Sequence, residues 1–215
     1  MPFGFEFRVF LDVEPIPKYF SDSLLDWSSS ASNQIWFESM TDKPDVTGLA
    51  VLSFEADALV HSFRMKYHAV AADGVPAHIT ILFPFMHPDA VDGAVIAQLR
   101  RLFAGHDQFD YALTDIRRFP NVIYLASEPA QPFISLTKAV VTAFSDYPPF
   151  EGQFPDIIPH LTVAYLEDQP ALNKIEMEFA ARAATSLPLQ VNTKQVWLLE
   201  RRDGRWRKHT AFALS

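Results

Sequence analysis

Pro76-Ala77-His78-Ile79-Thr80-Ile81-Leu82-Phe83 is the stretch on which the reading of this chain turns. In a β-strand successive side chains alternate between faces, so Ile79, Ile81 and Phe83 point one way and His78, Thr80 and Leu82 the other. Ile158-Pro159-His160-Leu161-Thr162-Val163-Ala164-Tyr165 repeats the arrangement, with His160, Thr162 and Ala164 on one face and Leu161, Val163 and Tyr165 on the other. Both segments have a proline upstream, an apolar β-type run, and an aromatic residue five positions after the histidine. Each strand therefore buries an apolar face and presents an imidazole and a hydroxyl on the opposite one. A chain with seven histidines contains about one His-x-Ser/Thr by chance. The flanks and the spacing thus carry the argument, not the bare pattern.

The two histidines lie 82 residues apart. The same offset carries Pro88, which opens a helix, onto Pro170, which opens another. It carries Phe109, at the start of an expected strand, onto Val191 inside one, and Val122 onto Gly204, in the Asp203-Gly204 turn before the last strand. Elements that fall into register in this way are the mark of an internal duplication whose residue identities have faded. Ahead of the first motif, Leu49 to Phe54 reads as a buried strand. Residues 55–71 read as a helix with an apolar stripe of Leu59, Phe63, Tyr67 and Val70, which leaves His61, Arg64 and His68 on a polar side facing solvent. The motif strand 77–85 is followed by a helix from Pro88 that turns Val91, Val95, Leu99 and Leu102 inward and ends at Gly105. Strands come next near 109–116 and 122–126. The second half runs through a helix at about 132–146 (Phe133, Leu136, Val140 and Phe144 inward), a loop from Tyr147 to Ile157 and motif strand 158–166. A helix from Pro170 (Leu172, Ile175 and Phe179 inward) and strands at about 189–200 and 205–214 complete it.

Residues 1–46 stand apart. Phe3, Phe5, Phe7, Val9, Leu11 and Val13 alternate with polar residues or glycine as a strand does, Phe10 being the single misfit, and the region reads as an N-terminal extension of unassigned role. The remainder, 47–215, divides into lobe halves of roughly 47–130 and 131–215. A chain of 215 residues, 49% of them hydrophobic, can bury a substantial core. The absence of cysteine excludes disulfides, thiolate metal sites and a cysteine nucleophile. With no basic-then-apolar leader and no apolar run near the ~20 residues that span a bilayer, the chain reads as soluble and cytoplasmic, without a membrane partner. No two histidines stand four apart, the helical spacing a metal site favours, so no metal is expected. The net charge is −8, and it sits mostly in the first 60 residues, with ten acidic and three basic side chains. Lys194, Arg201, Arg202, Arg205, Arg207 and Lys208 crowd one late stretch, either as a positive face for phosphates or as a solvated hairpin.

Two imidazoles and two hydroxyls around one point suit phosphodiester chemistry. A neutral histidine can take a proton from the attacking oxygen while a protonated one gives a proton to the departing oxygen, and a pKa near ~6.5 allows both forms near neutrality. Threonine hydroxyls can hold the phosphate oxygens.

These segments and their place in a duplicated α/β order resemble the 2H phosphoesterase superfamily, the 2′-5′ RNA ligase family. The likeness extends to Phe83-Pro84-Phe85, Arg118-Phe119-Pro120, Tyr147-Pro148-Pro149-Phe150 and the Arg-rich hairpin near the C-terminus. The resemblance implies an α+β, bilobal, internally duplicated fold of antiparallel sheets around a central cleft. It implies that His78 and His160 are catalytic, that Thr80 and Thr162 bind phosphate, and that no cofactor is needed. The partner it implies is a nucleotide cyclic phosphate or a short RNA end; a monomer is expected, though no residue pattern fixes the oligomeric state. Tyr147, Phe150 and Arg118 are candidate substrate contacts, since aromatic faces stack on bases and Arg reaches phosphate. A non-catalytic nucleotide- or RNA-end-binding module using the same cleft is the other reading.

Overall fold

The alternation that sets the two motif strands side by side also builds the sheet around them. The computed structural model describes residues 44–154 and 156–215, so the strand read over residues 3–13 and the rest of the N-terminal extension up to residue 43 lie outside the described residues. In chain order the elements are β1 (Val46–Leu52), α1 (Phe54–Tyr67), α2 (Ala69–Ala72), β2 (His78–Leu82), α3 (Gly93–Phe103), β3 (Phe109–Phe119), β4 (Val122–Glu128), α4 (Gln131–Ala143), β5 (His160–Tyr165), α5 (Gln169–Ala183), β6 (Leu189–Thr193), β7 (Gln195–Arg202) and β8 (Arg205–Ala213). All pairings are antiparallel, in one eight-stranded sheet of order β6-β3-β4-β5-β2-β1-β7-β8. The architecture is the expected mixed α/β one with the two motif strands at its centre.

Neither half of the chain keeps its strands to itself. β3 and β4 follow the first motif in sequence yet lie beyond β5, while β7 and β8 follow the second yet lie beyond β1. The helices are exchanged likewise: α1 packs on β5, and α4 packs on β2. One sequence strand at about 189–200 is two strands in the structure, because the chain leaves the β3 edge after Thr193, pairs with β8 from Gln195 and joins β1 from Trp197. A single residue, Lys194, joins elements from opposite ends of the strand order, and its carbonyl accepts a hydrogen bond from Leu214 N at 2.9 Å. The sheet must curl to allow this, so it forms a half-barrel.

The core fills the helix side. Ile79, Ile81, Leu161, Val163, Ile123, Leu125, Val196 and Leu198 are all buried there with Phe103, Phe133, Phe179 and Phe212. Ala50, Leu52, Val75 and Leu199 form a second, smaller cluster with Val70, Trp197 and Trp206. This second cluster explains why the helix read over 55–71 breaks. Leu59, Phe63 and Tyr67 belong to the main core whereas Val70 belongs to the other, and His68 takes an extended conformation (φ −140°, ψ 96°) between α1 and α2. The helix expected from Pro88 begins later. Pro88–Ala90 is a 3-10 turn, and Asp92 caps α3 by accepting from Ala94 N and Val95 N at 2.9 Å each, satisfying donors that a helix start leaves open.

The turn after α2 aims the chain into β2. Gly74 has φ +105°, and a Cβ there would sit 2.9 Å from the Trp206 carbonyl oxygen, while Asp73 O accepts from Trp206 N at 2.9 Å. Gly74→Ala is expected to lower stability by at least ~1–2 kcal/mol, through left-handed strain and the clash together. An unchanged urea midpoint at constant m-value would refute this account of the turn.

Candidate active site

β2 and β5 are neighbours with Ile79 opposite Leu161. One residue to either side, the antiparallel register sets His78 across from Thr162 and Thr80 across from His160. Directly opposed side chains on one face have Cβ atoms about 5 Å apart. Each imidazole therefore faces the hydroxyl of the other motif, and all four groups leave the sheet on the side away from the main core, half-buried. The structure brings together the four residues singled out by the motifs.

The two rings are anchored in the same way. His78 Nδ1 lies 2.8 Å from Pro76 O, and His160 Nδ1 lies 2.7 Å from Ile158 O, the carbonyl two residues upstream in each case. A carbonyl only accepts, so the neutral ring carries its proton on Nδ1 and keeps the Nε2 lone pair free. His160 further packs against two aromatic rings in T-shaped contacts, Phe119 at 5.1 Å and Tyr124 at 5.2 Å. Those two rings stack on each other at 4.4 Å. Tyr124 reaches this place because it pairs with Thr162 across β4–β5.

Arg64 does not face solvent as its place on the helix suggests. It is 2% exposed. Its Nη1 donates to Thr162 O at 2.7 Å, and its Nη2 donates to Val75 O at 3.1 Å and Pro76 O at 3.0 Å. The physical reason is the short pairing of β2 with β5, with the carbonyls of Thr162, Val75 and Pro76 taking up the donors of the buried guanidinium. Burial lowers the Arg64 pKa to about 10, with Asp57 acting in the opposite direction, so the group remains a cation at neutral pH.

His68 also departs from the expected exposed position. Its Nδ1 is buried without a hydrogen-bond partner among the described residues. Burial is the main cause that depresses its pKa to about 3, followed by Arg64, His78 and His160. Burial likewise leads in pushing His78 down to about 4; Arg64 and His160 add to it and the bond to Pro76 opposes it. His160 is lowered by burial, partly offset by its bond to Ile158. Both motif histidines thus rest as neutral bases near pH 7, and His78 feels the fixed positive charge of Arg64.

The other candidate contacts are placed elsewhere. Tyr147 packs on the main core, its ring 5.1 Å from buried Phe85. Phe150 lies in a turn at φ +49°, where its N–H donates to Phe83 O at 2.6 Å and its ring meets Phe154 at 5.5 Å; it borders the end of β2 without joining the four motif residues. Arg118 turns to the helix side and binds α5 through Asn173, Glu176 at 3.2 Å and Gln169 at 2.9 Å. Its neighbour Arg117 pairs with Tyr124 and so shares the face of Thr162. Counting parity outward from the motif would have chosen Arg117. In the late basic stretch, Arg202 pairs with Asp89 and Glu200, and Lys208 lies over Trp197 at 5.3 Å and Phe54 at 5.5 Å.

Among the described residues no group of three or more His, Asp or Glu side chains is placed to hold a metal ion, and no helix is long and apolar enough to cross a membrane. A family profile described as the 2′-5′ RNA ligase superfamily matches residues 52–205. The fold is similar to that of E. coli LigT complexed with 3′-AMP, with TM-score 0.54 and 19% identity over 80% of this chain and 99% of that one. It is also similar to a Thermus thermophilus protein, TT0787, with TM-score 0.53 and 16% identity over 79% and 97%. A third similar structure, a phosphoesterase, has TM-score 0.51 and 20% identity over 80% and 99%. No curated protein matches the sequence.

Proposed function

Because the chain belongs to the 2′-5′ RNA ligase superfamily, we propose that it is a phosphoesterase that opens a 2′,3′-cyclic phosphate on a nucleotide or at a short RNA end. The observation that supports this best is the pairing of the two motif strands at Ile79–Leu161, whose register directs His78 toward Thr162 and Thr80 toward His160, together with the tie of both Nδ1 atoms to backbone. With both Nδ1 atoms engaged, the two Nε2 atoms are free to act on one phosphate, one to accept a proton from the attacking oxygen and one to supply a proton to the departing oxygen. The threonine hydroxyls donate to the non-bridging oxygens and hold the phosphorus in line with attack. No metal ion enters any step. E. coli LigT has been crystallised with 3′-AMP and with ATP, ligands that pair a base with phosphate as the proposed substrate does.

The test is to incubate the protein with the four 2′,3′-cyclic nucleotides, ADP-ribose cyclic phosphate and a 2′-5′-linked dinucleotide, in the presence of EDTA, and to identify products by mass. Ring-opened monophosphate from at least one cyclic substrate is the expected result. Tight calorimetric binding with no product over hours would replace the reading with a binding module, and activity abolished by EDTA would sink the mechanism.

A further inference from the structure

The two His-x-Thr motifs are matched in register and in anchoring, yet their surroundings are not. Pro76 O accepts from His78 Nδ1 and also from Arg64 Nη2 at 3.0 Å. Ile158 O, its counterpart, accepts from His160, with no second side-chain donor among the described residues. The helices that cover the motif strands differ in the same sense. α1 contributes the buried Arg64 next to β5, whereas the one cation within α4, Lys138, is exposed.

Resting on the functional reading above, we propose that Arg64 is a positioning residue that divides the labour between two chemically matched histidines: by sharing the Pro76 carbonyl with His78 it commits His78 to accepting a proton and leaves His160 to donate one. The physical argument is local. A guanidinium donating to the same oxygen draws on the electron density that an imidazolium Nδ1–H would need, and its fixed charge repels a second positive charge nearby. The groups that face His78 from each packed element are Arg64 from α1, His68 from the break after it, and His160 from β5. None is an acid. His160 instead makes T-shaped contacts with Phe119 and Tyr124, side chains that carry no formal charge against its protonated form.

In the resulting step a water oxygen forms a bond to phosphorus while its proton passes to His78 Nε2. The phosphorus–oxygen ring bond breaks, and the departing ribose oxygen takes the proton from His160 Nε2. His78 is then protonated and His160 neutral, and exchange with solvent restores both.

The pH–rate curve cannot by itself tell which histidine performs which task, so the test uses the leaving group. Cyclic phosphates whose bridging 2′ or 3′ oxygen is replaced by sulfur release a thiolate, whose pKa near ~8.5 makes a proton donor dispensable. His160→Ala is expected to lose ~10²–10⁴-fold on the oxygen substrate but to recover to within about tenfold of the parent protein on one of the sulfur substrates, whereas His78→Ala stays impaired on both. Recovery of His78→Ala, or of neither variant, overturns the assignment. A parent protein that opens none of these rings overturns the functional reading instead. The second arm needs no activity: ring-proton NMR of His78 should titrate about one pH unit higher in Arg64→Met, and by a smaller step in Arg64→Lys, which keeps the charge but loses the fork. An unmoved His78 midpoint in whichever of the two variants folds overturns the part given to Arg64.

Discussion

Replacing His78 or His160 by alanine is expected to lower kcat on a 2′,3′-cyclic nucleotide by ~10²–10⁴-fold each, the range that a positioned acid or base supplies. The fold should survive both changes, since each ring lies on the face away from the main core and its hydrogen bond is to one backbone carbonyl, with His160 also touching Phe119 and Tyr124. The loss should fall on kcat more than on KM, because the proton moves only on the way to the transition state. The double variant should lose little more than the worse single one, since acid and base act on one concerted transfer and removing either disables the unit. Thr80→Ala and Thr162→Ala behave differently in kind. Each removes one donor to a phosphate oxygen, at a cost of about tenfold to 10²-fold, and the two effects should multiply. Steady-state rates with a circular-dichroism check of folding decide the matter. If both histidine variants kept a third or more of the parent activity, the mechanism would be wrong.

The polar quartet is legible in the sequence because strand periodicity is strict: once residues 77–83 and 158–165 are read as strands, the face carrying His78, Thr80, His160 and Thr162 follows from position alone. The duplication is legible through spacing, and the resemblance to a family adds the pairing of the motifs in one cleft. Pattern fails where a side chain's environment depends on what covers it. Arg64 and His68 lie opposite an apolar helical stripe, which normally means solvent. Here that side of α1 is roofed by the join of β2 and β5 and by the segment at Val75–Pro76. The break at His68 has no proline or glycine before Asp73-Gly74 to announce it, because its cause is tertiary: Val70 is claimed by a different cluster from Tyr67. The division of a β-type run at Lys194 is equally silent, since both flanking pieces keep strand character and only their partners differ. The choice of Arg118 fails for a different reason: its side depends on which β4 residue it pairs with, and the pairings Arg117–Tyr124 and Arg118–Ile123 are not legible before the strand order is known.

The same buried histidines make the fold sensitive to mild acid, and the sign can be followed group by group. His78 is depressed to about 4 and His68 to about 3, while unfolded histidines titrate near ~6.5. Between these values the unfolded chain binds protons that the folded chain refuses, so stability falls as pH falls. Their contribution is fully present above about pH 6.5 and is lost progressively down to about 4 for His78 and about 3 for His68. His160, lowered in the same direction, adds to the effect. Both rings retain some exposure, so solvent screening reduces the loss, and a decrease of ~2–4 kcal/mol between pH 7.5 and 4.5 is the expected size. Asp89 is held below the ordinary carboxylate value chiefly by its hydrogen bond to Arg202, so its contribution disappears only below about pH 4. Urea unfolding at the two pH values measures the loss directly. His68→Gln and His78→Gln, which replace a titrating ring by a neutral amide, should each flatten the dependence by roughly a third to a half. If the two variants together lost as much stability as the parent protein between pH 7.5 and 4.5, the acid sensitivity would have to come from outside this cluster.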